Sequence, residues 1–447
     1  MIPFDSTKSH FMLAAPASGS GKTTLTLGLL RALTNRGLTV QPFKCGPDYI
    51  DTLHHTTAAR SRSINLDVFM ASEDHVVSLY GRYSAGADVA VTEGVMGLFD
   101  GSDRAQGSSA AVAQLLDLPV ILVINAKAMA YSVAPLLYGF KNFDERVNVV
   151  GVIFNFVSTP SHYRFLKEAA EDVGVEPLGY LPPQETFAIP SRHLGLHISA
   201  ETDYETIIQT IADEIPKTID LDRLLAVTAA RRAGLTRVEA NARLTVEPAS
   251  RIRIAIARDE AFTFTYGANI DVLSAFGAIT YFSPLRDAAI PPTDLLYLPG
   301  GYPELAAEAL SGNDSMRESI RTYCRQGGLT YAECGGLMYL GTALTNAQGQ
   351  TFPMVGVLDT TTTLQASRLT LGYRVLHWNG HEVKGHEFHY SRLNETAPQT
   401  AIASVTNARG AAVATPVYRV QNTFASYLHL YWAHQPAFIQ ALLDARS

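Results

Sequence analysis

Short apolar runs recur along the first 190 residues, each followed by a longer stretch with helical spacing. Phe11, Met12 and Leu13 precede an amphipathic run over 25–33, and further runs occupy 38–43, 88–92, 119–124 and 149–154. Runs this short and this apolar read as buried strands, and the lengths between them suit crossover helices, so the pattern predicts a doubly wound parallel sheet. From about 199 to 249 the spacing turns helical, with Ile207, Ile208, Ile211 and Ile215 and then Leu221, Leu224 and Leu225 on a repeating face. The arginine-rich stretch 231–243 that follows reads as a solvated face. Strict alternation returns in Arg-Ile-Arg-Ile-Ala-Ile-Ala from Arg251, and strand-like runs follow at 278–282 and 295–298. The predicted organisation is an α/β unit over 1–198, a helical end and connector over 199–249, and a second α/β unit over 250–447.

Length agrees with two units, because 447 residues exceed what one core usually organises. A composition of 47% apolar and 17% charged residues excludes a disordered or fibrous chain. The net charge of −7 argues against a nucleic-acid partner held on a basic face. Cys45, Cys324 and Cys334 are the only cysteines, which is no disulfide framework and points to a reducing, cytoplasmic setting. Residues 1–10 lack the charged and apolar regions of a signal peptide, and no run of about 18 apolar residues occurs, so neither export nor a membrane partner is expected.

Strand ends are where an open parallel sheet binds its ligands. After the first strand comes Ala-Ala-Pro-Ala-Ser-Gly-Ser-Gly-Lys-Thr-Thr over 14–24. A strand, a glycine-rich turn and a helix in this order bring several backbone N–H groups to a helix N-terminus, where a phosphate is best met. The stretch Ser18, Gly19, Ser20, Gly21, Lys22, Thr23, Thr24 reads as a P-loop: Lys22 reaches the outer phosphates and the Thr23 hydroxyl is placed for Mg²⁺. One position departs from the pattern, since Pro16 stands where the first glycine is usual. After the run 38–43 comes Lys-Cys-Gly-Pro-Asp-Tyr-Ile-Asp, and after the run 88–92 comes Glu-Gly-Val-Met-Gly-Leu-Phe-Asp-Gly. Glu93 lies between an apolar strand and a glycine, where an unpaired acid would be costly, so it reads as a metal or ligand residue, with Asp48 as a second metal partner. Asp51 and Asp103 read instead as helix caps or solvated loop residues, and Cys45 as a small buried side chain.

The second half carries its own constellation. Leu-Pro-Gly-Gly-Tyr over 298–302 is a strand running into a double-glycine turn, able to aim N–H groups from Gly300 and Gly301 at a developing oxyanion. Tyr-Ala-Glu-Cys-Gly-Gly-Leu-Met over 331–338 sets Cys334 on a sharp strand-to-helix turn, a nucleophile elbow in thiol form, where a helix N-terminus is expected to lower the thiol pKa. A general base must come from elsewhere in the chain. His386, His389 and His429 are the candidates, and His429, in an apolar strand-like run near the C-terminus, is favoured. Cys324 reads as a packing residue in a helix.

Gly-Gly-Tyr-Pro-Glu, Ala-Glu-Cys-Gly-Gly-Leu-Met-Tyr-Leu and Ser-Tyr-Leu-His-Leu together resemble the flavodoxin-like class I glutamine amidotransferase domain, in the divergent form of cobalamin-pathway amidases. The first half, through its P-loop, Lys-Cys-Gly-Pro-Asp-Tyr-Ile-Asp, Glu-Gly-Val-Met-Gly-Leu-Phe-Asp-Gly and Pro-Ser-Arg-His-Leu-Gly-Leu, resembles the dethiobiotin-synthetase-like ATPase domain of the cobyrinic acid a,c-diamide synthase family. The resemblance spans nearly the whole chain. It implies that glutamine is hydrolysed through a thioester on Cys334 with His429 as base, Gly300 and Gly301 forming the oxyanion turn. It further implies that ATP with Mg²⁺ activates two carboxylates of a corrin-type tetrapyrrole in turn as acyl phosphates, which ammonia converts to amides. Lys22, Thr23, Asp48 and Glu93 match the ATP and Mg²⁺ positions, Tyr49 and Asp100 match loop residues on the tetrapyrrole side, and Asn155 resembles an adenine-contacting asparagine.

Triad enzymes usually carry an acid two residues after the histidine, and this chain has Tyr431 there, so the resemblance implies a Cys-His pair whose imidazole is oriented by another group. Glu333, beside the nucleophile, reads as a structural or helix-start residue. Delivering ammonia along a closed route would spare it protonation. A homodimer is common in such ATPase folds, and by that analogy alone is a possible state here. Hydrogenobyrinic acid and nickel sirohydrochlorin are alternative substrates, and cobyric acid synthase is a related type that the 44–51 and 96–100 motifs fit less well. A partitioning ATPase switch is the reading from another class. It would carry a second lysine where Ala17 stands, and it would have no use for a glutaminase.

Overall fold

The computed structural model describes residues 8–101, 104–189, 191–192, 195–196, 203–229, 251–366, 368–395 and 402–446. The arginine-rich stretch 231–243, Asp103, and Pro190, His193 and Leu194 of the Pro-Ser-Arg-His-Leu-Gly-Leu motif lie outside them. The chain divides into two compact units, Met1–Val68 with Ser72–Arg243, and Phe69–Ala71 with Leu244–Ser447.

The first unit is built on a seven-stranded sheet. Its strands are β1 (Ser9–Ala14), β2 (Val40–Cys45), β3 (Ile64–Leu66), β4 (Val89–Glu93), β5 (Val120–Asn125), β6 (Val149–Asn155) and β7 (Glu176–Leu181). They lie in the order β3-β2-β4-β1-β5-β6-β7, every pairing parallel. The order reverses direction at β1, so the carboxyl ends of β1, β4 and β2 open on one crevice, the place such sheets keep for ligands. Register fixes what lines it: Lys44 and Leu13 both pair with Glu93.

Helices cover the sheet because its strands are apolar on both faces; Leu13, Val91, Val123 and Ile153 share one core with Leu25, Leu29 and Leu33 of the helix Lys22–Asn35. The helices Tyr204–Thr218 and Leu221–Thr228 add Ile211, Ile215 and Leu224 to that core. Gly28 lets the two long helices touch, since a Cβ there would fall 2.5 Å from Ile211 Cγ2. Buried Arg31 donates to both carboxylate oxygens of Glu205 at 2.5 and 2.9 Å and to the Thr57 and Ala58 carbonyls, so the late helices are also held by a fully engaged charge.

The second unit has a six-stranded central sheet in the order Gly277–Phe282, Ile252–Ala257, Leu295–Leu298, Leu329–Glu333, Thr423–Ser426, Val417–Val420, parallel except for the last strand. Two antiparallel-rich sheets that the chain pattern does not announce are built from the chain between the fourth and fifth of these strands, with Leu428–Leu430, which follows the fifth, completing one of them. One joins Thr351–Pro353, Ala343–Thr345, Thr360–Thr363 and Arg392–Glu395. The other joins Ala412–Val413, Ser404–Asn407, Thr370–Trp378, His381–His389 and Leu428–Leu430. Thr370–Trp378 and His381–His389 form a hairpin closed by Asn379 and Gly380, whose φ values of 48° and 77° are those of a type I′ turn. Among the described residues no helix is long and apolar enough to cross a membrane.

Candidate active site

In the first unit the P-loop crest, Ala17 to Gly19, is exposed while Ser20 and Lys22 are buried beneath it. Gly19 and Gly21 take φ of 78° and 82°, the left-handed conformation that frees the loop's N–H groups to face a common point. Gly21 also has no room for a side chain: a Cβ would fall 1.9 Å from Asn155 Nδ2. That amide donates to Ser20 O at 3.0 Å and its oxygen accepts from Phe156 N, so buried Asn155 braces the loop from below.

Beneath the P-loop lies a compact charged cluster. Glu93 is 1% exposed, and its Oε1 accepts from Thr23 Oγ1 at 2.8 Å and Lys44 Nζ at 3.0 Å, while its Oε2 meets His55 Nε2 at 2.7 Å. Lys44 Nζ also donates to Asp51 Oδ2 at 2.5 Å. Burial would push the Glu93 carboxyl up, but Lys44 and His55 outweigh it and hold it well below the usual range. Lys44 is likewise kept charged: burial lowers its pKa, and Asp51 and Glu93 more than reverse that. Asp48 accepts from the amides of Ile50 and Asp51 at 2.9 Å, and burial together with the charge of Asp51 raises its carboxyl to about 6. Lys22 donates to Met96 O at 2.5 Å, and burial lowers its pKa.

Asp51 is therefore not the solvated residue that the sequence suggests; it sits in the first turn of the helix Ile50–Ala59 and pairs with a buried lysine. His55, one turn further on, gave no sequence signal, because its partner is 38 positions away. Ser109 is a second residue the sequence left unmarked: its hydroxyl accepts from Val95 N and donates to Val95 O, pinning the loop after Glu93. In that loop exposed Asp100 accepts from Gly97 N at 2.9 Å. Tyr49, in the neighbouring β2 loop, is buried. Cys45 is buried and its thiol is pushed up to about 12 by burial, in keeping with a packing role.

In the second unit Cys334 caps the short helix Gly335–Leu340 at φ 44° and ψ −99°, a strained elbow directly after the strand Leu329–Glu333. The double-glycine turn is bracketed by the other members of the site. A Cβ on Gly300 would fall 2.3 Å from His429 Cε1, and a Cβ on Gly335 would fall 3.0 Å from Gly301 N. The turn thus lies between the imidazole and the residue that follows the thiol.

The three candidate histidines separate by their surroundings. His386 shares a 2.8 Å hydrogen bond with Tyr266 OH, and burial lowers its pKa to about 3. His389 faces Glu387 Oε1 at 3.0 Å and Ser391 O at 2.9 Å and stacks on Tyr427 with ring centroids 3.7 Å apart. His429 lies opposite His386 in the ladder, with rings stacked at 4.9 Å, and is the one against the glycine turn. Cys324 packs in its helix, with Sγ 3.4 Å from Thr330 Oγ1.

The expectation that the helix N-terminus lowers the Cys334 pKa is not met. Burial, with Glu304 adding to it, pushes the thiol well above its ordinary value, and burial pushes His429 well below. A six-residue helix cannot offset the loss of solvent and the surrounding carboxylates. Burial thus favours the neutral form of each group. Glu333 ends the nucleophile's strand and does not start the helix; burial raises its carboxyl to about 7, and it is hydrogen-bonded to Tyr297, Tyr331 and Leu430.

Comparison with known proteins assigns each unit. Residues 11–196 match the CobQ/CobB/MinD/ParA nucleotide binding domain, and residues 253–437 match the CobB/CobQ-like glutamine amidotransferase domain. The fold and sites thus define a glutamine-hydrolysing ligase with a P-loop unit followed by an amidotransferase unit. The chain is 41% identical to the cobyrinate a,c-diamide synthase of Listeria monocytogenes serotype 4b, over 98% of this chain and 99% of that one. It is 41% identical to the enzyme of the same name from Salmonella typhimurium, over 97% of each. It is 40% identical to the hydrogenobyrinate a,c-diamide synthase of Brucella abortus, over 94% of this chain and 98% of that one. The chain belongs to the cobyrinate a,c-diamide synthase family.

Proposed function

We propose that this protein amidates the a and c carboxylates of cobyrinic acid, using ATP and ammonia taken from glutamine. The observation that carries the reading is the pairing of a P-loop over a compensated charge cluster with a separate Cys-His centre against a glycine turn. In the glutaminase centre Cys334 Sγ attacks the side-chain amide carbon of glutamine. His429 takes the thiol proton as the bond forms and returns it to the departing ammonia. With burial favouring both neutral forms, this transfer is concurrent with attack, so the thiolate exists only with substrate in place. N–H groups at Gly300 and Gly301 meet the developing oxyanion, and water then hydrolyses the thioester to glutamate.

In the P-loop centre a substrate carboxylate displaces ADP from the γ-phosphorus of ATP, giving an acyl phosphate. Ammonia attacks its carbonyl carbon and phosphate leaves, and the cycle repeats on the second carboxylate. Lys22 meets the outer phosphates, backbone from Ser18 to Thr24 cradles them, and Tyr49 and Asp100 face the tetrapyrrole.

The donors fit Mg²⁺: the Thr23 hydroxyl and the Asp48 and Glu93 carboxylates are hard oxygens. An ion on a nucleotide would be held mainly through phosphate oxygens and water, with one or two protein oxygens. Bound there, Mg²⁺ supplies positive charge to the phosphates. The Brucella relative favours a second reading, the same reaction on cobalt-free hydrogenobyrinic acid. Mass spectra of both acids after incubation with protein, ATP, Mg²⁺ and glutamine test this: two successive replacements of OH by NH₂ on cobyrinic acid support the first reading, conversion of hydrogenobyrinic acid alone supports the second, and conversion of neither overturns both.

A further inference from the structure

Something must orient His429, since the acid two residues on is replaced by buried Tyr431. The ladder between Leu428–Leu430 and His381–His389 pairs His386 with His429 and Gly385 with Leu430, and Tyr431 N donates to Lys384 O at 2.8 Å. Antiparallel ladders alternate between hydrogen-bonded and non-bonded pairs, so Leu430 turns its N–H and C=O away from that strand. In the core these groups need other partners. The carbonyl accepts from Asn269 Nδ2 at 2.8 Å and the amide donates to Glu333 Oε1 at 3.0 Å. Glu333 is 1% exposed, and the hydroxyls of Tyr331 and Tyr297 hold its two oxygens at 2.9 Å each.

We propose that Glu333 is the positioning residue of the glutaminase centre: it precedes the nucleophile in the chain and fixes the peptide that follows the catalytic histidine. The same side chain thus ties the Cys334 elbow to the His429 strand, which leaves the central sheet after Ser426. Glu333 acts on the imidazole's orientation through the backbone, by holding the Leu430 peptide, with Gly300 packed against the ring. What this role requires of Glu333 is reach and an acceptor oxygen. A full negative charge is not required, in keeping with a carboxyl surrounded by three donors and raised towards neutrality.

The inference rests on Cys334 and His429 being the catalytic pair, and the test separates the two. Steady-state glutaminase kinetics and melting temperatures are measured for the full chain carrying Glu333→Gln, Glu333→Asp, His429→Gln or Cys334→Ala. Glutamine at 333 keeps the reach and an oxygen for Leu430 N, so kcat stays within about threefold of the parent. Aspartate keeps the charge but is shorter by one methylene, about 1.5 Å, so kcat falls by about tenfold to a hundredfold with KM changed less than about twofold, as misplaced groups do. If Asp retains more activity than Gln, or both match the parent, or a folded Gln variant loses more than about tenfold, the inference is overturned. Substantial glutaminase activity in His429→Gln or Cys334→Ala would instead overturn the reading beneath it.

Discussion

Glu93 and Glu333 invite comparison. Each closes a parallel strand, each is 1% exposed, and each lies beside a residue of a proposed site. Glu93 is paired with Lys44 and His55 and held ionised, whereas Glu333 is surrounded by neutral donors and raised to about 7. The difference follows what each site must receive. A nucleotide brings permanent charge, so the P-loop unit keeps a prebuilt lattice of lysines and carboxylates. Glutamine's amide is neutral, and charge appears only as the thiol reacts, so burial favours the neutral forms of Cys334, His429 and Glu333, while the buried charges of Arg374 and Glu387 are paired with each other at 2.7 Å.

The largest expected effect comes from breaking the charged lattice. Lys44→Met leaves Asp51 and Glu93 facing each other without their cation, and the first unit should lose about 3–5 kcal/mol. Circular dichroism melting would read this, and an unchanged transition would contradict the lattice. In the neutral site the sensitive feature is contact: Gly300→Ala drives a Cβ into His429 and should lower glutaminase kcat about a hundredfold with little change in melting.

The two acids should also respond oppositely to pH. The raised carboxyl of Glu333 costs stability as pH climbs from the ordinary carboxylate value towards about 7, so Glu333→Gln should gain on the parent by roughly 1–3 kcal/mol across that window. Glu93, held low, contributes stability above the ordinary value that is lost as pH falls through its depressed one, so Glu93→Gln should lose most near neutrality. Tryptophan fluorescence follows the second unit selectively, because Trp378 and Trp432 both lie there. The smallest effect is kinetic: alkylation of Cys334 without glutamine should rise about tenfold per pH unit with no plateau below the ordinary thiol range. A plateau near neutral pH would mean a preformed thiolate.

How far each region is legible in the chain also differs. The P-loop is contiguous, so strand, turn and helix could be read together, and β1, β2, β4, β5 and β6 fall within two residues of their apolar runs. β3, of three residues, and β7, interrupted by Pro177 and Gly179, carry too little pattern. The Glu93 cluster was half visible: Glu93 and Asp48 stand at strand ends, but Asp51 and His55 acquire meaning only when β2 and β4 lie side by side. In the second unit the elbow and glycine turn are local and were legible. The antiparallel sheet that carries His386 and His429 was not, although Trp-Asn-Gly-His over 378–381 is a hairpin signal. The bond that ties Glu333 to the peptide after His429 could not be read at all, since Leu430 and Glu333 are 97 positions apart.

The division of labour between the two sites is tested most directly by exchanging the nitrogen source. Cys334→Ala and Lys22→Ala are each incubated with ATP, Mg²⁺, the corrinoid acid and either glutamine or ammonium salt, and amide formation is followed by mass. The account predicts that Cys334→Ala forms amide from ammonium and none from glutamine, while Lys22→Ala forms none from either yet still releases glutamate from glutamine. Loss of ammonium-dependent synthesis in a folded Cys334→Ala, or amide formation by Lys22→Ala, would contradict it.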